Sequence, residues 1–390
     1  GTVSMDFDLN DDQVAFQQAA RTFADKALAP FAAEWDAGKI FPKDVIAAAG
    51  ELGFCGLYCP EDVGGLGLSR LDSSIILEQL ATGCTSTTAF ISIHNMATWM
   101  IADFGNHSTV EQFCPDLIAG KTLASYCLTE PGAGSDAASL RTRAELSGDH
   151  YIVNGSKMFI SGAGSTDVLV VMVRTSDDGP RGITTLVIPA DSPGIKFGSN
   201  LEKMGWNSQP TREISFENVK VPVTNRLGKA GDGFKIAMKG LDGGRINIAT
   251  CSLGTAQAAI NRAQAYMLER EQFGQSISNF QALQFKLADM VTELVAARQM
   301  VRLAAFKVDT QHSEAAVYSA MAKRFATDVG FEVCNEALQL HGGYGYMREY
   351  PLERYIRDTR VHQILEGTNE VMRLIVSRRL LTMADVELIQ

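Results

Sequence analysis

The sequence lacks several features, and each absence closes a class of function. No run of about 18 apolar residues occurs in the 390 residues, so no transmembrane helix and no membrane partner are expected. The seven cysteines (Cys55, Cys59, Cys84, Cys114, Cys127, Cys251, Cys334) contain no CxxC pair and their number is odd. Reduced, mostly buried thiols fit better than a disulfide framework. The six histidines are isolated from one another, so no metal is expected. Positive charge is short: 35 Lys and Arg stand against 45 Asp and Glu, a net charge of −10. Such a surface repels phosphate backbones, which argues against nucleic acid, while local arginines remain able to hold a small anion. No repeat or low-complexity tract stands out. No signal peptide and no Arg-rich transit segment is visible. Gly1 to Ser4 read as a cloning remnant before Met5, followed by acidic Asp6 and Asp8. The expectation is a bacterial cytoplasm, with the mitochondrial matrix after transit-peptide removal as the alternative.

What is present describes a globular chain. It is 46% hydrophobic and 21% charged, unlike a disordered one. Its length exceeds one compact core, so two or three packed modules are expected. The expected fold class is α+β, mainly α, in three zones. Residues 5–121 form a helical domain. Its first helix is capped by Asp11 or Asp12 and carries Val14, Phe16, Ala20, Phe23 and Ala27. Another follows Pro42, residues 59–67 are a loop, and further helices cover about 70–82, 87–103 and 109–119. Residues 122–232 form a β-barrel-like domain. In it, 150–160 read as two strands joined by a tight Asn154-Gly155 turn, followed by strands at 167–173, 182–189 and 212–222. Residues 233–390 form a four-helix-bundle domain. Leu283, Leu287, Met290, Leu294 and Val301 supply a heptad-like stripe, 314–340 behave alike, and a last helix starts near Asn369.

Six motifs carry candidate chemistry, and each has a plain structural alternative. In Tyr126-Cys127-Leu128-Thr129-Glu130-Pro131-Gly132-Ala133-Gly134-Ser135-Asp136, exposed backbone N–H groups can meet a planar ligand, or the run is a tight loop. Gly243 and Gly244 before Arg245 leave space over a helix start for a ligand, or mark a helix entry with an ion pair. Arg270, with Phe273, can meet a phosphate and a ring, or simply ends a helix. Gln339 to Tyr346 is a glycine-rich break in a helix. Glu366, after apolar Ile364 and Leu365 and before Gly367, is either a general base with a raised pKa or an ordinary loop glutamate. Arg378 lies on the apolar stripe of the last helix, either snorkelling or awaiting an anion.

Taken in order, these runs, with Phe159-Ile160-Ser161-Gly162, resemble the acyl-CoA dehydrogenases from about Leu9 to Leu381. The resemblance implies FAD as cofactor. Tyr126, Leu128, Thr129, Gly134, Ser135, Phe159, Ile160 and Ser161 would surround its ring. Arg270, Gln272 and Phe273 would meet its far end from a neighbouring subunit, with Gln339, Gly342 and Gly343 nearby, and Thr368 and Glu370 would complete the contacts. A shared site implies an oligomer, a homotetramer built as a dimer of dimers. Ser135, Asp242, Arg245, Gly367 and Arg378 would contact the acyl-CoA substrate.

The implied reaction is α,β-dehydrogenation. Glu366 removes the α proton while the β carbon gives a hydride to flavin N5. A backbone N–H at the glutamate and a ribityl hydroxyl stabilise the enolate charge. Electron-transfer flavoprotein is the implied acceptor. Some relatives carry the base on the helix of Arg245; here that place is Gly244, which cannot serve. Met204 to Arg212 and Gly244 to Gly254 resemble the isobutyryl-type branch, which implies conversion of isobutyryl-CoA to methacrylyl-CoA in valine breakdown; the alternatives are butyryl- or 2-methylbutyryl-CoA as substrate, an acyl-CoA oxidase, or a non-catalytic scaffold of the same fold. Phe159 stands where many relatives carry Trp.

Overall fold

A computed structural model describes residues 6–389; the proposed cloning remnant and Met5 lie outside them. The N-terminal third is helical: α1 (Asp11–Phe23), α2 (Ala32–Gly38), α3 (Lys43–Glu51), α4 (Arg70–Gly83), α5 (Thr85–Phe104) and α6 (His107–Ile118). The cap of α1 is Asn10, not Asp11 or Asp12. Its side chain accepts from the Gln13 N–H, and Gln13 returns a bond to the Asn10 N–H. That reciprocal box satisfies two end donors, and the two aspartates occupy the first turn, where the helix dipole favours them. The helix α2 lay outside the expected pattern. Helix α5 is buried nearly all round and forms the centre of this layer.

The middle zone is a sheet of β1 (Ala124–Cys127), β2 (Arg143–Ser147), β3 (His150–Ser161), β4 (Val168–Arg174), β5 (Ile183–Pro189), β6 (Ile195–Phe197), β7 (Thr211–Pro222) and β8 (Arg226–Leu227). The strands run β6-β7-β3-β2-β4-β5-β8, and β1 joins β4 in parallel. Strand β4 is apolar from Val168 to Val173 because both its faces are covered. Val170 and Met172 pack towards α5 and α6, while Leu169, Val171 and Val173 pack into the sheet's own core.

The expected Asn154-Gly155 hairpin does not exist. Residues 150–161 are one continuous strand with a register break between Val153 and Gly155. Asn154 accepts from the Asn218 N–H (2.9 Å) and donates to the Asn218 side chain (3.2 Å), so its polar group serves the β7 partner and not a turn. A side chain at Gly155 would collide with Thr142 on the other side, and its φ of 151° suits the bulge.

The C-terminal zone contains α7 (Gly233–Glu269), α8 (Gln281–Asp309), α9 (Ala315–His341), α10 (Gly343–Tyr346), α11 (Leu352–Arg360) and α12 (Asn369–Leu380). Helices α7, α8 and α9 pack lengthwise, α12 lies on α9, and α4 reaches across to α7 and α8. Met290, Leu294 and Val301 are buried in their shared core, with Leu283 and Leu287 packed against it. Gly243 and Gly244 do not open a helix; they lie inside the 37-residue α7.

Candidate active site

The geometry centres on the turn between α11 and α12. Glu366 and Gly367 both take left-handed backbone, with φ of 59° and 86°. For a glutamate this is a strained conformation that the surroundings must impose. Arg245 Nε donates to the Glu366 carbonyl at 3.0 Å, and Lys323 Nζ donates to the Gly367 carbonyl at 2.8 Å. Thr368 caps α12 by accepting from the Val371 N–H at 3.2 Å. The turn aims the Glu366 carboxyl at α7, over Gly244. A Cβ at 244 would collide with Oε2, so this glycine makes the room the carboxyl occupies. Gly243 makes equivalent room for the Arg70 guanidinium, which stacks on Tyr58 at 3.6 Å. The close neighbours, and not a helix start, are why two glycines sit in α7.

Glu366 Oε2 is buried without a hydrogen-bond partner among the described residues. Burial pushes this carboxyl up to about 7, against the opposing pull of Arg245 and Lys323. Arg245 is itself buried and pairs with Asp242 at 3.4 Å.

Glu366 lines a cavity of about 340 Å³. Of the expected site residues, Tyr126, Leu128, Thr129, Gly134, Ser135, Phe159, Ile160, Ser161, Arg245 and Gly367 line the same cavity. Asp242 does not line it but pairs with Arg245, which does. Thr368 and Glu370 cap and open α12 outside it, and Arg378 is exposed further along that helix. The walls come from β1, the loop to Ala138, β3, α7 and α12. Phe159 lies on left-handed backbone (φ 58°) and leaves its ring 63% exposed towards the cavity.

Two buried polar groups of contacts hold this frame. Lys157 Nζ, fully buried, donates to Glu130 Oε2 at 2.8 Å and to the Leu128 carbonyl at 3.0 Å. Glu130 also accepts from the N–H groups of Arg141 and Thr142. The glycine-rich loop is thereby tied to β3 at both ends. On the far wall, Trp206 donates from its ring to His362 Nε2 at 3.2 Å, leaving His362 Nδ1 to donate to Ser252 at 2.7 Å. Burial holds His362 down at about 3, so it stays neutral. The Trp206 N–H donates to buried Asp358 at 2.7 Å.

Arg270, Gln272, Gln339, Gly342 and Gly343 meet elsewhere. They line a second cavity of about 490 Å³ at the far end of α7. Phe273 stands beside it, 92% exposed. Within one chain the two sets of expected cofactor residues are not brought together.

Sequence reasoning missed Lys323, Asn369 and Trp206. A signal for Lys323 was available: it shares a face of α9 with Ser319, Ala320 and Thr327, all buried, where a lysine needs dedicated acceptors. Trp206 offered no such signal, because its partners are about 150 residues away.

Comparison with known proteins matches this arrangement over nearly the whole chain. Residues 10–121 match the acyl-CoA dehydrogenase N-terminal domain, 125–219 the middle domain and 231–381 the C-terminal domain. The chain is 56% identical to mitochondrial isobutyryl-CoA dehydrogenase of Bos taurus over 96% of this chain and 90% of the relative. It is 55% identical to the Dictyostelium discoideum protein of the same name, over 95% and 90%. The solved butyryl-CoA dehydrogenase of Megasphaera elsdenii superposes with a TM-score of 0.94 at 40% identity, covering 97% of this chain and all of that one. A chain from the structural work on the electron transferring flavoprotein of Acidaminococcus fermentans gives 0.95 at 43%, over 97% of this chain and 100% of that one. The chain belongs to the acyl-CoA dehydrogenase family of flavin-dependent oxidoreductases.

Proposed function

We propose that this enzyme dehydrogenates a short branched acyl-CoA, isobutyryl-CoA, to methacrylyl-CoA with FAD, and that Glu366 is its base. The observation that carries the reading is the buried Oε2 of Glu366, unpartnered among the described residues, in a cavity also lined by the glycine-rich loop and Phe159. The residues fit a flavin. The Tyr126 hydroxyl is buried without a partner among the described residues, and a Cβ at Gly134 would meet open space, so a planar group has both a polar contact and room. Tyr126, Leu128, Thr129, Gly134, Ser135, Phe159, Ile160 and Ser161 would hold the ring. Arg270, Gln272, Phe273, Gln339, Gly342 and Gly343 would hold the far end of a cofactor bound to a neighbouring copy, and Thr368 and Glu370 would complete the contacts. When bound, the flavin accepts the hydride that leaves the β carbon.

The protein's own part is proton abstraction. An α proton of a thioester is weakly acidic, so the base must hold affinity for it near neutral pH. Glu366 does so because burial outweighs its two cations. Oε2 takes the proton, the α–β bond becomes double, and Arg245 keeps the Glu366 carbonyl in place throughout. Ser135, Asp242, Arg245, Gly367 and Arg378 are the proposed substrate contacts.

The isobutyryl relatives at 55–56% identity support the branched substrate over butyryl-CoA, whose solved enzyme stands at 40%. Their mitochondrial names support the matrix alternative for location. Electron-transfer flavoprotein is the proposed electron acceptor, supported by the Acidaminococcus neighbour. A homotetramer is supported by exposed Phe285 and Phe306 on α8 and exposed Phe273 in the turn before it.

The test is anaerobic addition of isobutyryl-CoA to the purified flavoprotein. Bleaching in the native enzyme and none in Glu366→Gln is expected. Equal bleaching in both places the base elsewhere, and a higher kcat/KM for butyryl-CoA removes the branched substrate.

A further inference from the structure

Lys323 stands on α9 with its side chain wholly buried, yet it spends its hydrogen bonds on neutral oxygens. Its Nζ donates to the Gly367 carbonyl at 2.8 Å and to Asn369 Oδ1 at 2.8 Å. Asn369 is itself fixed, donating to Thr327 Oγ1 at 2.9 Å and Asp328 Oδ1 at 2.7 Å. From the opposite side, Arg245 on α7 grips the carbonyl of Glu366. Two cations from two helices therefore hold two successive carbonyls of one left-handed turn. A buried ammonium bonded to neutral acceptors still loses its hydration, and only a nearby anion offsets that loss.

The charged groups facing Lys323 are Glu366 and Arg245, Asp328 on its own helix, Glu370 on α12 and, when protonated, His362. The charged groups facing Glu366 are Arg245 and Lys323; Tyr126, Tyr58 and Cys251 face it too, but burial pushes all three up, so they stay neutral. Burial draws Lys323 down to about 7 and pushes Glu366 up to about 7, and each group's charge opposes the other's shift.

We propose that Lys323 is the positioning residue of proton abstraction: its grip on the Gly367 carbonyl directs the Glu366 carboxyl over Gly244, and its charge keeps that carboxyl ionised inside the cavity. This rests on Glu366 being the base. It separates two roles of one side chain, a clamp that needs only a donor and a field that needs a charge.

The experiment is the pH profile of kcat/KM for the holoenzyme and its Lys323→Arg, Lys323→Gln and Lys323→Met variants, with Glu366→Gln alongside. In Lys323→Gln the acidic limb moves up by about one pH unit, a roughly tenfold loss near pH 7 that recovers at high pH. Lys323→Arg keeps the limb near the native position. Lys323→Met shows both the shift and a lower plateau. If Lys323→Met does not fold, the Gln and Arg variants decide the matter. A limb at the native pH in Lys323→Gln, whatever its plateau, overturns the charge role. A native plateau in Lys323→Met overturns the clamp. Activity retained in Glu366→Gln instead removes the base reading itself, which is a different result from an unshifted limb in an enzyme that Glu366→Gln inactivates.

Discussion

The α-carbon of Gly244 lies directly beneath the carboxyl of Glu366, so close that a methyl group there would overlap Oε2. The two residues are 122 positions apart, one inside α7 and the other in the turn before α12, and the carboxyl occupies space that the glycine leaves open.

Gly244→Ala should therefore disable the enzyme without unfolding it. The added methyl also meets Met96 Sδ at 2.8 Å; both obstacles are ends of flexible side chains, so the carboxyl and the thioether give way and not the helix. A displacement of about 1 Å from the productive geometry costs on the order of 100-fold in rate. We expect kcat to fall by about that factor while flavin content and far-ultraviolet circular dichroism stay native. A kcat within threefold of native would show that the carboxyl does not need this position.

The pH dependence of the native enzyme follows from the same burial. The proposed base must be ionised to act, and Glu366 sits up at about 7, so kcat/KM should rise through pH 7 to a plateau. The sign for stability is the reverse. A carboxyl raised from 4.5 favours the folded state only when protonated, so it costs nothing below about pH 4.5. The cost grows between 4.5 and 7 and is complete above, at roughly 3 kcal/mol at most. Glu366→Gln should thus melt higher than native at pH 8 and alike near pH 4.5. Equal melting temperatures at pH 8 would mean the carboxyl is not desolvated.

Lys157 and Glu130 form a buried pair, 0% and 7% exposed. Lys157→Met leaves Glu130 with its two backbone donors but without its cation, and removing one partner of such a pair costs about 3–5 kcal/mol. The loss should appear in the denaturant midpoint. Because the pair ties the glycine-rich loop to β3, flavin should also be held less tightly. A midpoint unchanged from native would refute the role.

The sequence made the order of zones legible, because hydrophobic period is a local property: α8 carried its stripe and β4 its unbroken apolar run. It misled where a local signal was answered by a distant partner. Asn154-Gly155 has the chemistry of a tight turn, but Asn218 claims the asparagine and Thr142 requires the glycine. Gly243 and Gly244 read as a helix entry, but Arg70 and Glu366 need their space inside α7. The raised affinity of Glu366 for a proton was readable from Ile364 and Leu365 only in direction. Its two opposing cations, from α7 and α9, are non-local.

Helix α7 runs without a break for 37 residues, roughly 55 Å. It carries Arg245 beside the first cavity and reaches the second at Tyr266 and Arg270. It is therefore a ruler. One residue inserted between them would turn its far end by about 100° and push it out by about 1.5 Å. The first cavity would be untouched and the second dismantled. A lengthened loop would leave that spacing alone; a lengthened α7 would not.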